Sequence, residues 1–170
     1  FKITDYAEEL LKDLDLLEGW PERVKTMQRN WIGRSEGLEL TFQIPALNNE
    51  VVVYTTRADT AFGVTFMALP PEHPLVEKIC ENNPKAEEIK AFCDKVRNQS
   101  DIERTSSESE KEGMYTGIDC VNPFTGRKVE MWITNYVLYD YGTGAVMGVP
   151  TGDQRDWMFA TKYGIEKIVT

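Results

Sequence analysis

The chain has 170 residues, of which 41% are hydrophobic and 28% are charged, and these values are ordinary for one globular domain. The net charge of −9 disfavours a general nucleic-acid binder, because non-specific affinity comes mostly from Lys and Arg on phosphates. No apolar run approaches the roughly 18 residues of a membrane-spanning helix, so no span is expected.

The chain begins with Phe1 and shows no basic segment followed by an apolar one, so we expect no signal peptide and a fragment of a larger cytoplasmic protein. Three cysteines without a CxxC spacing predict reduced, buried thiols rather than a metal site. His73, the one histidine, precedes a predicted helix and is expected to be a turn or cap residue.

The first predicted elements are a helix and a connecting segment. Residues 3–17 carry apolar side chains three and four positions apart, which predicts an amphipathic helix that ends before Gly19. Residues 20–36 combine two tryptophans with basic side chains, which predicts a solvated connecting segment, with RNA contact as the alternative.

Strands and helices follow in a mixed order. Predicted strands cover 38–43, 50–55, 63–69, 128–134, 135–139 and 144–149. Residues 73–99 predict two helices broken at Pro84, 100–112 predicts a polar loop, and the residues after Asp156 predict a helix. Six or more strands with flanking helices indicate a mixed α/β domain on a closed or nearly closed sheet.

A threonine-rich loop follows the strand that ends near residue 55. Thr55, Thr56, Arg57, Asp59 and Thr60 lie within six residues. Hydroxyls with an arginine, and no Cys, His or Ser triad, suit orientation of a water and a polar substrate better than covalent attack. The alternative is a turn in which Asp59 and Thr60 cap a short segment.

A glycine-rich stretch, 141–156, ends in the sequence Asp-Gln-Arg-Asp at the start of the last predicted helix. Asp153, Arg155 and Asp156 place two carboxylates and a guanidinium within four residues, which could position an ammonium group, a hydroxyl or a water. The alternative is a Gly-Pro turn before a helix N-terminus that carries favourable acids.

Together the two stretches, TTRADT at 55–60 and GTGAVMGVPTGDQRD at 142–156, resemble the editing domain of bacterial-type leucyl-tRNA synthetase, also called connective polypeptide 1. Further matches are NWIGRSEG at 30–37, PEHPLV at 71–76, SDIERT at 100–105 and the segment 115–146. The resemblance covers nearly the whole chain. It implies a central barrel-like β-sheet with flanking helices, a lead-in at 1–36 and an editing core at 37–170.

The resemblance implies hydrolysis of the ester that joins a wrong amino acid, such as norvaline, isoleucine or methionine, to leucine tRNA. A second sieve of this kind is needed because one methylene changes binding by only about 1–3 kcal/mol. The implied partners are the tRNA 3′ end and the rest of the synthetase, without a membrane, and a monomer is expected. Editing needs no cofactor, whereas ATP and Mg belong to the aminoacylation site of the parent enzyme.

Residue roles follow from the same resemblance. Asp156 matches the carboxylate that holds the substrate α-ammonium, with help from Asp153. Thr60 matches the residue that excludes leucine. Thr55 and Thr56 match the hydroxyls that orient the attacking water and stabilise the developing oxyanion.

The remaining predicted contacts concern the amino-acid pocket and the terminal adenosine. Met147 and Val149 are expected as pocket walls, with ordinary strand core as the alternative. Arg57, Arg155 and Tyr141 are expected to contact the adenosine or its phosphates.

Two positions depart from the family pattern. Ala58 stands where proline is usual, which loosens the preset φ of the loop. Gly152 stands where histidine is usual, which favours a rival hypothesis of a catalytically weak module that binds the tRNA 3′ end. A third hypothesis is the editing domain of a valyl- or isoleucyl-tRNA synthetase.

Overall fold

The computed structural model describes residues 2–106, 109–140 and 142–169 of the chain. It forms two compact units, Phe1–Glu36 and Gly37–Thr170. Among the described residues, no helix has both the length and the apolar character needed to cross a bilayer.

The first unit contains two helices, α1 (Ala7–Asp13) and α2 (Glu22–Ile32). The prediction of one helix over 3–17 was too long, because 3-10 turns flank α1 on both sides. The connecting segment predicted at 20–36 was wrong, since most of it is α2. Pro21 precedes that helix, and Gly33 ends it with a φ of +62°.

Within the described residues, the second unit is built on six strands. They are β1 (Leu38–Ile44), β2 (Asn49–Thr55), β3 (Phe66–Leu69), β4 (Gly113–Val121), β5 (Lys128–Thr134) and β6 (Val146–Gly148). Their order in the sheet is β2-β1-β4-β5-β3-β6. Only the β3–β5 pair is parallel, and the others are antiparallel.

The sheet matches the predicted mixed α/β class, although it is not a closed barrel. The edge strands β2 and β6 approach within 8 Å between Cα atoms without forming a ladder among the described residues. The strand predicted at 135–139 was wrong, because these residues form a bend and irregular backbone.

In the part of the second unit that the structure describes, the helices that accompany the sheet are α3 (Leu75–Cys80), α4 (Ala86–Arg97), α5 (Asp101–Thr105) and α6 (Gln154–Tyr163). The predicted break at Pro84 is confirmed, since it falls between α3 and α4. The loop predicted at 100–112 was partly wrong, because Ser100 and Glu103 form a capping box that starts α5. His73 accepts a hydrogen bond at Nδ1 from the Leu75 N–H, as expected of a cap residue.

Two hydrophobic clusters hold the second unit together. The larger cluster joins inward side chains of five strands with α3 and α4, and Phe42, Met67 and Ile133 in it are fully buried. On the other sheet face, α6 packs Phe159 against Phe66 with ring centroids 5.1 Å apart. Burial on both faces fixes β3 and β5, the strands next to the candidate site.

Candidate functional site

The threonine-rich loop after β2 is held by bonds between hydroxyls and backbone. The Arg57 N–H donates to Thr55 Oγ1 at 2.9 Å, and the Thr60 hydroxyl donates to the Arg57 carbonyl at 2.8 Å. Threonine side chains commonly bond to nearby backbone in this way, which favours a turn over a continued strand. Thr56 is exposed, and its hydroxyl makes no hydrogen bond to the described residues. The loop therefore fixes Thr55 and Thr60 and leaves the Thr56 hydroxyl open to solvent.

Arg57 and Asp59 form a bidentate ion pair on the outside of this loop. Arg57 Nε donates to Asp59 Oδ1 at 3.0 Å, and Nη2 donates to Oδ2 at 2.8 Å. The hydrogen bond from Arg57 lowers the pKa of Asp59, which stays ionised at neutral pH. The pair is exposed, so its main effect is to orient the guanidinium rather than to stabilise the fold.

Close packing explains the glycines that lead into β6. Gly144 has a φ of +78°, a conformation that side chains other than glycine rarely adopt. At Gly148 an added Cβ would lie 2.3 Å from the ring of Phe66. The segment thus enters β6 pressed against β3, and the Thr65 N–H donates to the Gly148 carbonyl at 3.1 Å.

The two carboxylates at the start of α6 have different environments. Asp153 is the N-cap residue, and its side chain accepts from the N–H groups of Arg155 at 2.7 Å and Asp156 at 3.2 Å. Asp156 is only 8% exposed, and its Oδ2 accepts from the Val149 N–H at 2.8 Å. Asp156 therefore joins the first turn of the helix to the end of β6.

These environments move the pKa values of the two carboxyls in opposite directions. Burial raises the pKa of Asp156 to about 6, against the opposing effect of the Val149 N–H. Burial also raises the pKa of Asp153, but the hydrogen bonds from the Asp156 and Arg155 N–H groups outweigh it, so the pKa of that carboxyl is lowered overall. The buried Tyr136 hydroxyl interacts electrostatically with Asp156 and has no hydrogen-bond partner among the described residues.

Both loops rest on the same hydrophobic core. Ala61, at the end of the threonine-rich loop, and Ala145 and Val149, on either side of β6, belong to the larger cluster. The Asn122 amide, 1% exposed, donates to the Ala61 carbonyl at 2.8 Å. The fold therefore brings together two segments that are more than eighty residues apart in the sequence.

A surface cavity of about 640 Å³ adjoins the threonine-rich loop. It is lined by Asp59, Phe62, Thr125, Arg127, Ile168 and Val169. The Thr151 hydroxyl donates to the Ile168 carbonyl at 2.6 Å and so connects this wall to the turn before Asp153. The volume suits a small ligand or one nucleotide. Thr55, Thr56 and Asp156 do not line the cavity.

The other predicted contact residues are distributed as follows. Met147 is partly buried against the core and Val149 is 5% exposed, which is compatible with core packing and with a pocket wall. The Arg155 guanidinium is exposed, with Nε 3.5 Å from Asp153 Oδ1. Tyr141 lies outside the described residues. Their expected contacts with a substrate stay predictions.

Gly152 has space for a Cβ atom. An added Cβ would lie 3.4 Å from Val149 Cγ1, which is ordinary van der Waals contact. Glycine here is therefore not required by the packing of the turn.

The cysteines are free thiols away from the two loops of the candidate site in sequence. Cys93 and Cys120 are buried free thiols, Cys80 is half-buried and free, and burial raises the pKa of all three. In the ranges that the structure describes, no group of three or more His, Cys, Asp or Glu could hold a metal ion.

Sequence reasoning missed Asn122, Phe62 and Phe124. Asn122-Pro123 was interpreted only as a turn, yet its buried amide anchors the threonine-rich loop. Nothing in the local pattern shows that the rings of Phe62 and Phe124 meet at 5.5 Å between centroids.

Fold and site together define a class: a mixed α/β domain in which a hydroxyl-rich loop and a carboxylate-bearing helix N-terminus rest on one core. The family model described as leucyl-tRNA synthetase, editing domain, matches residues 29–170. The chain belongs to this family. The alternative of a valyl- or isoleucyl-tRNA synthetase is not supported.

Relatives and a solved structure agree with this assignment. Leucine–tRNA ligase of Symbiobacterium thermophilum is 59% identical over 170 residues, covering 97% of this chain, and that of Nitratidesulfovibrio vulgaris is 56% identical over 165 residues, covering 96%. The chain spans 20% of the length of each. A crystal structure of the ternary complex of Agrobacterium radiobacter K84 LeuRS with tRNA and LeuAMS is similar with a TM-score of 0.79 and 41% identity. That match covers 99% of this chain and 20% of the LeuRS chain.

Proposed function

We propose that this domain hydrolyses the ester of leucine tRNA charged with a noncognate amino acid such as norvaline, isoleucine or methionine. The observation that supports the proposal is that Ala61, directly after TTRADT, and Val149, whose N–H bonds to Asp156, belong to one hydrophobic core, while Thr56 is exposed. Membership of the editing-domain family supports the same reaction.

The threonine hydroxyl groups orient the attacking water and stabilise the charge that develops on the ester. Thr55 Oγ1 accepts from the Arg57 N–H, so its own hydrogen is available to donate to a developing oxyanion. Thr56, exposed and without a protein partner among the described residues, can bind the attacking water. An ester is already activated, so positioning of a water and stabilisation of charge are sufficient without a side-chain nucleophile. This step uses no cofactor.

Two carboxylates bind the substrate's α-ammonium group, and one threonine side chain excludes leucine by its size. Ionised Asp156 receives the α-ammonium on the oxygen that Val149 does not occupy, and Asp153 adds negative potential. The Thr60 side chain is locked by its bond to the Arg57 carbonyl and limits the space for leucine. Met147 and Val149 line the side-chain pocket, and Arg57, Arg155 and Tyr141 contact the terminal adenosine.

The proposed partners are the tRNA 3′ end and the rest of the synthetase, with the domain in monomeric form in the cytoplasm. A tRNA ligand is compatible with a net charge of −9 if the contact is local and the parent enzyme supplies most of the phosphate binding.

The rival proposal is a binding module with weak or no catalysis, and the observation that favours it is Gly152. A histidine in that turn could hold a water or the loop by hydrogen bonds, and glycine offers neither.

Deacylation of leucine tRNA that has been charged with norvaline or isoleucine tests the two proposals. The 170-residue chain, its Asp156→Ala variant and the full-length synthetase are compared, with Asp94→Ala on α4 as a matched loss of one carboxylate. Loss of a charge-assisted hydrogen bond predicts a fall in kcat/KM of about 10- to 150-fold for Asp156→Ala. Equal rates for Asp156→Ala and Asp94→Ala would exclude the proposed role of Asp156. A full-length enzyme without deacylation would favour the binding module.

A further inference from the structure

Two phenylalanines form an exposed aromatic pair beside the threonine-rich loop, and one of them, Phe62, lines the cavity. Phe62 is 53% exposed and Phe124 is 50% exposed, and their rings lie 5.5 Å apart with an interplanar angle of 41°. Rings of this size are usually buried, so a shared exposed position at a cavity marks a binding surface.

Hydrogen bonds hold both rings in place. The buried Asn122 amide donates to the Ala61 carbonyl, directly before Phe62, and its Oδ1 accepts from the Phe124 N–H at 2.9 Å. The two rings are therefore attached to one hydrogen-bonded unit and lose little freedom when a ligand binds.

The charges around the pair suit an anion. Arg127 lines the cavity with an exposed side chain that forms no ion pair within the described ranges. Asp59, the one acid in the cavity lining, is neutralised by Arg57 at 2.8 Å. An arginine without an ion-pair partner in the described ranges, in a cavity that also exposes the Phe62 ring, suits a ligand that carries both a ring and a negative charge.

The position of the cavity selects among such ligands. One wall continues from Thr60 through Asp59 and Phe62, and the other, at Ile168, is bonded to Thr151 in the turn before Asp153. Because Asp59 belongs to the threonine-rich loop and lines the cavity, the cavity lies next to the loop at which the proposed function places the ester.

We propose that Phe62 and Phe124 form a stacking platform for an unpaired base near the 3′ end of tRNA, with Arg127 on an adjoining phosphate. This subsite rests on the proposed function, because it binds the same substrate as the hydrolytic site. Single-stranded nucleic acid is commonly held by this combination of aromatic faces and a basic side chain.

The test compares substitutions that keep or remove the ring. Phe62→Leu and Phe124→Leu keep apolar bulk without a π face, whereas Phe62→Trp and Phe124→Trp keep the face. Each Leu variant is expected to weaken binding of a labelled RNA hexanucleotide with the sequence of the tRNA 3′ end by about 5- to 150-fold, and to raise KM for norvalyl-tRNA deacylation similarly. The Trp variants are expected to match wild type in both assays.

A charge test runs in parallel. Arg127→Gln is expected to reduce the slope of log affinity against log salt by about 0.7, as for one phosphate contact to a single strand. The control is Lys90→Gln, which removes a positive charge from α4 beside a different cavity and is expected to leave the slope unchanged.

The outcomes separate the two proposals. Wild-type deacylation with unchanged Kd and KM in both Leu variants overturns the platform and leaves the editing function standing. RNA binding that is weakened equally by the Leu and Trp variants also overturns stacking. Binding that is unchanged in the Leu variants does so too, because it would require only an apolar surface. A full-length synthetase that neither binds the RNA hexanucleotide nor deacylates norvalyl-tRNA overturns both proposals.

Discussion

The Asp156→Asn substitution removes the negative charge of the buried side chain but keeps its hydrogen bond to Val149. It therefore separates the effect of the buried charge on stability from the effect of that bond. The asparagine side chain has the same shape, and its carbonyl can still accept from the Val149 N–H. It cannot ionise. At neutral pH the variant is therefore expected to be more stable than the wild type and to lose deacylation, because no charge remains for the α-ammonium.

The magnitude follows from linkage between ionisation and folding. Burial raises the pKa of Asp156 from 3.8 to about 6, so the folded protein holds this proton more tightly than the unfolded chain. The contribution of Asp156 to stability is thus largest below about pH 4 and is lost as the pH rises through about 6. A difference of about 2 pKa units corresponds to about 3 kcal/mol, as an order of magnitude. The stability of Asp156→Asn relative to wild type should rise by that amount between pH 4 and pH 7.

Urea unfolding followed by tryptophan fluorescence at several pH values measures this difference. Asp153→Asn is the matched control with the opposite sign, because the pKa of Asp153 is lowered in the folded protein and wild type gains stability there as the pH rises. A stability difference for Asp156→Asn that is independent of pH, or that falls with rising pH, would refute the argument from burial.

Three further substitutions have defined outcomes. Gly148→Ala should destabilise by about 1–3 kcal/mol in urea unfolding, because the new Cβ meets the fully buried Phe66 ring; a smaller effect would mean that β6 can shift away from β3. Thr60→Ala should release leucine from leucyl-tRNA about 10- to 200-fold faster, and no change alongside intact norvaline hydrolysis would exclude a steric role. Gly152→His should leave stability within about 0.5 kcal/mol, because the site has room beside Val149, and should raise the deacylation rate; an unchanged rate would remove Gly152 as the cause of any weak activity.

Local patterns were sufficient wherever one strong signal governed an element. Alternation identified the strand that became β5, with Val129, Met131 and Ile133 fully buried. Pro84 predicted the break between α3 and α4. The same reasoning failed at α2, because its basic side chains suggested a solvated linker, whereas Lys25 is 7% exposed and bonded to Glu22.

Some features of the candidate site could likewise be predicted from the sequence, and others could not. The sequence by itself determined the two motifs and, through them, the family, because these residues are contiguous in the chain. Only the tertiary structure showed that Asp156 is buried against Val149 with a raised pKa and that Asn122 holds the threonine-rich loop. It also showed that the rings of Phe62 and Phe124 meet and that Phe62 and Arg127 line one cavity. The physical reason is that burial, pKa and ring contact depend on neighbours far away in the sequence, which the packing of β3, β5 and β6 brings together.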